Sequence, residues 1–211
     1  MKKGLFLIAI LLVPSIIYLL FSLGQHHAAK IGFEGRFVAS LDGDTSYLPL
    51  AIQPLISSKK NVITSDSLTG KVVLLHFFHS PCPEECKTEF ATINNYLNEI
   101  GKNDQWMLLN ICLDSITMGE LEALSSKKLY NGSNWFYCKS EEFEVVTTMF
   151  SEAFDSPRNQ IKQATSTVVL LDQTQHVRAR FNLKLQPEIK LLQDAIKLLI
   201  KEPHIAWKNK K

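Results

Sequence analysis

From residue 71 onward the apolar positions alternate between two kinds of spacing. "KVVLLHFF" and "QWMLLNICL" are unbroken apolar runs of strand length, and "NWFYC" is a shorter one. The stretches after them, 84–100, about 118–129 and about 140–153, carry apolar residues at helical spacing instead. This βαβαβα order is the pattern of a parallel sheet with helices on its faces. "STVVLLDQTQHVRARFNL" then predicts two strands about a polar turn at 172–175. "QPEIKLLQDAIKLLIKE" predicts a closing helix with Pro187 in its first turn, where a missing N–H is harmless.

A βαβ start closed by a hairpin and a helix is the thioredoxin arrangement, so the expected fold is α/β, with a central mixed sheet flanked by helices over 66–203. A basic tail follows at 204–211. Ahead of the domain, 26–65 is rich in turn residues with short apolar pieces, as a stalk and β-hairpin region would be. Residues 4–24 carry no charged side chain, and a helix of that length spans roughly 30 Å, enough for a bilayer core. Residues 1–25 are therefore expected to be a membrane anchor. Lys2 and Lys3 put the N-terminus in the cytoplasm and the domain on the periplasmic side of the cytoplasmic membrane, crossed once. A cleaved signal peptide is the rival, with Ser22 and Gly24 as small residues at the cut, but its apolar core would be only about 7–15 residues.

The chain of 211 residues suits one well-cored domain plus a short extra element. Its 23 basic and 21 acidic residues leave a net charge of +2, which gives no footprint for nucleic acid. No phosphate loop, HExxH zinc motif or serine-nucleophile motif is present. The chemistry is concentrated in the cysteines. Cys82, Cys86, Cys112 and Cys138 all fall in the part expected to be exported, where disulfides persist.

Cys86, Phe90, Ile93, Leu97 and Ile100 follow the rhythm of one buried helical face, and Cys82 falls one turn earlier on the same side. Cys82 then sits at a helix N-terminus, which favours a thiolate, while Cys86 is shielded in the first turn. An exposed attacking sulfur and a protected resolving one make a dithiol redox pair. Glu84 and Glu85 oppose the thiolate. Two buried apolar cysteines would be the plain alternative.

"GKVVLLHFFHSPCPEEC" resembles the Sco/SenC family, membrane-anchored thioredoxin-fold proteins with a CxxxC copper motif. "LLNICLDS" is placed like that family's strand ending in S-V-D-P, with Asp114 matching its aspartate, and the resemblance spans roughly 68–200. It implies copper delivery to, or thiol reduction at, the copper centre of a respiratory cytochrome oxidase. Cys82 and Cys86 are then the redox pair and the Cu(I) ligands, thiolates being suited to that ion. The role implied is that of an assembly factor with thiol–disulfide exchange activity rather than a metabolic enzyme, its partner the oxidase copper subunit or another thiol protein. The family's third ligand is a histidine, and the matching position holds Ala164, followed by Thr165; the proline after its second cysteine is replaced by Lys87. That departure shifts weight from copper storage towards thiol–disulfide exchange. The competing expectation is a module with a structural disulfide and no copper function.

His79, three residues before Cys82, is the candidate for a substitute ligand or proton shuttle, since its ordinary pKa lies near neutrality. His76 lies within the strand on the side of Phe78 and is expected in the core, while His26, His27, His176 and His204 are expected at the surface. Cys112 and Cys138 end strands; burial is the first expectation, with a resolving or disulfide role as the alternative, for which Cys112 would fall near the Cys82 loop. A peroxidase of the same fold is disfavoured, since the proline and Ser/Thr of its motif are missing ahead of Cys82. "NGS" at 131–133 matches a glycosylation acceptor of eukaryotic secretory proteins.

Overall fold

The apolar run Val72–Phe78 forms an inner strand of a seven-stranded sheet, and all of its side chains are buried, as befits a strand covered on both faces. The structure is a computed structural model that describes residues 31–39, 45–100, 104–126, 134–155 and 166–202. Within these residues the strands are β1 (Phe37–Ala39), β2 (Thr45–Tyr47), β3 (Leu55–Ser57), β4 (Val62–Ile63), β5 (Val72–Phe78), β6 (Trp106–Cys112), β7 (Trp135–Lys139), β8 (Thr167–Leu171) and β9 (Val177–Asn182). The helices are α1 (Ser65–Leu68), α2 (Glu84–Leu97), α3 (Met118–Ser125), α4 (Phe143–Phe154) and α5 (Gln186–Lys201), and a 3-10 turn, Asn98–Ile100, extends α2.

The sheet order is β4-β3-β7-β6-β5-β8-β9. β5, β6 and β7 are parallel, while β8, β9 and β3 run against their neighbours, so the sheet is mixed as expected. β3 and β4 come from the stretch expected to be stalk and hairpin, and they extend the sheet beyond β7. β1 and β2 form a separate two-stranded ribbon.

Alternation along β5 splits the core in two. Val72, Leu74 and Phe78 pack with Phe90, Ile93 and Leu97 of α2 and with Leu192, Ile196 and Leu199 of α5. Val73, Leu75 and Phe77 pack on the other face against Val146, Met149 and Phe150 of α4. Trp106 and Trp135 are buried in the first cluster. His76 is buried too, its Nδ1 3.0 Å from Asn110 Oδ1.

The turn at 172–175 is built on Asp172, whose Oδ1 accepts from the Thr174 amide and hydroxyl and from the His176 amide, while Oδ2 accepts from Arg178. Burial pushes this carboxyl up, but hydrogen bonds from His176 and Thr174 outweigh it and hold it below the ordinary carboxylate range. His176, expected at the surface, is half-buried, with Nε2 3.1 Å from the Tyr47 carbonyl.

Parallel pairing aligns the carboxyl ends of the central strands, with Phe78 beside Cys112 and Ile111 beside Cys138. The loops that leave β5, β6 and β7 therefore emerge at one end of the sheet, where parallel α/β proteins place their chemistry.

Candidate functional site

At that end β5 gives way to His79, Ser80, Pro81 and Cys82, and Pro83 caps the start of α2. The Ser80–Pro81 peptide bond is cis. Cys82 and Cys86 are joined in a disulfide, with an S–S distance of 1.97 Å and Cα atoms 5.5 Å apart. Cys82 is half-buried and packs against the α2-side core, whereas Cys86 lies inside it at 7 % exposure. The helical spacing predicted this asymmetry.

Asp114, in the loop after β6, pins the loop that carries Cys82. Its Oδ2 accepts a hydrogen bond of 2.7 Å from the Ser80 amide and lies 2.9 Å from His79 Nδ1. The resemblance singled out Asp114 without a role; its contacts make it the strut between two site loops. His79 is thus held by one ring nitrogen, while its Nε2 is buried without a hydrogen-bond partner. Glu84 and Glu85 crowd the first turn of α2, and Glu84 is paired with Lys87.

Cys112 is a free thiol at 2 % exposure in the same core cluster as Cys86. Burial pushes it up to about 11, although a hydrogen bond from the Asp114 backbone works the other way. Cys138 is free and buried in the opposite cluster, and burial raises it still further. Neither is poised to ionise near neutrality.

Glu89 escaped the sequence reasoning. It shares the buried face of α2 with Cys86, Phe90, Ile93 and Leu97, and its carboxylate accepts a hydrogen bond from the Ser166 hydroxyl. Its three-residue spacing from Cys86 was the available signal.

Among the described residues, no group of three or more His, Cys, Asp and Glu side chains is gathered to hold a metal ion. Nor is any helix there long and apolar enough to cross a membrane. The expected anchor at 1–25, His26, His27, the 131–133 acceptor, Ala164, Thr165, His204 and the tail at 204–211 lie outside the described residues.

A half-exposed sulfur bonded to a buried one, at the carboxyl end of a parallel strand in this mixed sheet, defines a thioredoxin-like disulfide protein. The family model described as SCO1/SenC matches residues 54–115, from just before β3 to the loop after β6, so the segment bearing the pair and Asp114 is of Sco/SenC type. Among solved structures the chain is similar to BsSco, described as a Sco-family cytochrome c oxidase assembly protein with a disulfide switch, at 13% identity and a TM-score of 0.59 over 72% of this chain and 95% of that one. It is similar to a SCO1/SenC family lipoprotein of Bacillus anthracis at 16% identity and a TM-score of 0.57, over 72% and 96% of the two chains. Yeast Sco1 with copper bound is matched at 18% identity and a TM-score of 0.57, over 74% and 95%. At these identities the likeness shows the fold. Comparison with curated proteins finds no match.

Proposed function

We propose that this chain is a Sco/SenC-type assembly factor, anchored in the cytoplasmic membrane by residues 1–25, that exchanges disulfides with cysteine thiols of a cytochrome oxidase copper centre on the periplasmic side. The observation that carries this reading is the bonded pair itself, with Cys82 half-buried in a loop and Cys86 enclosed behind it. A partner thiolate attacks the Cys82 sulfur, the S–S bond breaks, and its electron pair leaves on Cys86. A second partner thiol then displaces Cys82, so the partner gains a disulfide and this chain two thiols. The reverse sequence reduces a partner disulfide. The disulfide switch of BsSco and the family match over the cysteine segment support the reading.

Copper enters as cargo. The bonded sulfurs are not thiolate donors, so the pair suits the metal only after reduction, when it offers two soft ligands of the kind Cu(I) accepts at low coordination. Copper in yeast Sco1 supports this second role. Cu(II) prefers tetragonal nitrogen and oxygen ligands. Titration of the reduced chain is therefore expected to show Cu(I) binding that disappears in Cys82→Ser, with Cu(II) bound weakly and strengthened by Ala164→His. If Cu(I) does not bind although disulfide exchange proceeds, the cargo role is lost and the oxidoreductase role stands.

A further inference from the structure

The charged network at the β8–β9 turn fastens more than that hairpin. The Arg178 guanidinium, 5 % exposed, donates to Asp172 and to Glu202 just past α5. It also donates to the carbonyls of Ile31 and Gly32 and lies 4.4 Å from the Phe33 ring centroid. Arg180 donates to the Glu34 carbonyl, and the Glu34 amide donates to the Val177 carbonyl. The chain is therefore held against the start of β9 from residue 31 onward, and β1 follows at once. This fastening lies at the end of the sheet opposite the disulfide, since Leu171 pairs with Val73 at the start of β5 and Cys82 follows the end of that strand. A seven-residue strand puts about 20 Å between the two ends.

The β1–β2 ribbon is secured at its base, where Phe33 stacks on Tyr47 at 4.9 Å and the Leu48 amide donates to the Arg36 carbonyl. Past that base it is exposed. Phe37 is 60 % and Val38 54 % accessible, on opposite faces of one strand, and Leu48, next after β2, is exposed too. A two-stranded hairpin by itself is marginal in water, and neighbouring apolar side chains left uncovered on one mark a surface that meets something. The two strands, FVA and TSY, carry no charged side chain.

What meets the ribbon follows from where the chain comes from. The uncharged run 4–24 ends at Gly24, Arg178 grips Ile31, and the linking residues 25–30 reach at most roughly 20–25 Å. With that run in a bilayer, the ribbon stays within reach of the lipid surface. A short tether makes the local concentration so high that a weak apolar contact is enough. We propose that the β1–β2 ribbon is a membrane foot, which dips Phe37 and Val38 into the interfacial layer of the bilayer and turns the disulfide end of the sheet away from the lipid, towards the partner. The proposal rests on the anchor reading above. Because the strands are uncharged, the contact is with the apolar part of that layer and does not require anionic headgroups.

The test uses the oxidised full-length chain in phosphatidylcholine vesicles, with a fluorescent dye on a single added cysteine. Cys82 and Cys86 are bonded and Cys112 and Cys138 buried, so only the added thiol reacts. Ser46→Cys places the dye on the ribbon, and Glu141→Cys places it on the loop after β7, at the disulfide end; both positions are exposed. A lipid carrying a nitroxide near its headgroup is expected to quench the dye at position 46 and not the dye at position 141. Adding Phe37→Ser and Val38→Ser to the ribbon-labelled chain is expected to abolish the quenching, and both side chains are exposed enough that the fold survives their loss. A dye at position 46 that is shielded from water but not quenched by lipid means that a second copy covers the ribbon, and it overturns the proposal. Equal quenching at both positions, or quenching that persists in the serine variant, overturns it as well. Each of these results is read on inserted chain and leaves the anchor reading standing. A chain that an alkaline wash strips from the vesicles overturns the anchor reading and the foot together.

Discussion

Cys82→Ser is expected to abolish disulfide exchange, whereas Cys86→Ser is expected to stop it halfway, as a stable mixed disulfide with the substrate thiol. The two sulfurs differ in access: Cys82 is half-buried in the loop before α2, and Cys86 is enclosed in the core. An incoming thiol can reach only the first, and only the second can release it. The helix N-terminus adds to the difference, since its unpaired amides favour a thiolate in its first turn, although Glu84 and Glu85 reduce that advantage. Incubating each variant with an oxidised cysteine-containing peptide and weighing the products by mass spectrometry checks both outcomes. Cys82→Ser should carry no adduct; Cys86→Ser should carry one peptide per chain, at Cys82. Cys112 should stay unmodified throughout, because burial raises its thiol to about 11.

Phe90→Ala is expected to cost about 3–5 kcal/mol of folding stability, the range for deleting a large aromatic side chain from a core. Domains of this size are stable by roughly 5–15 kcal/mol, so the loss threatens the fold itself. Phe90 has no exposed surface, and its ring lies 5.2 Å from that of His76, 5.4 Å from Phe78 and 5.5 Å from Tyr137. It therefore joins α2 to β5 and β7 one turn below Cys86, and the cavity would open directly beneath the disulfide. Urea unfolding of the oxidised chain measures the loss. Phe90→Leu, which refills much of the space, should recover a large part of it.

The sequence made some of this legible and hid the rest for identifiable reasons. β5 and β6 are seven-residue apolar strands, and the buried face of α2 repeats at helical spacing, so both declare themselves by period. β3 and β4 have three and two residues, too few for any alternation to register, and their place in the sheet depends on pairing with β7 far along the chain. The relation of Cys82 to Cys86 was visible because one helix start fixes both. The grip of Asp114 on His79 and Ser80 was not, since it joins loops more than thirty residues apart through the parallel pairing of β5 and β6. Glu89 was hidden by its own letter: a glutamate in an amphipathic helix is ordinarily on the solvent side, and the hydroxyl that accommodates it belongs to Ser166, 77 residues away.

The central claim is that the Cys82–Cys86 bond is made and broken in use rather than kept as a brace. Its reduction potential, measured by equilibrating the chain in graded thiol–disulfide buffers and counting alkylated cysteines, tests that directly. Exchange-competent pairs lie at roughly −270 to −120 mV and structural disulfides below about −300 mV. The account predicts a value in the first range, with Cys82 and Cys86 titrating together as one two-electron couple. A value below about −300 mV would contradict it and leave a structural disulfide in a thioredoxin-like module.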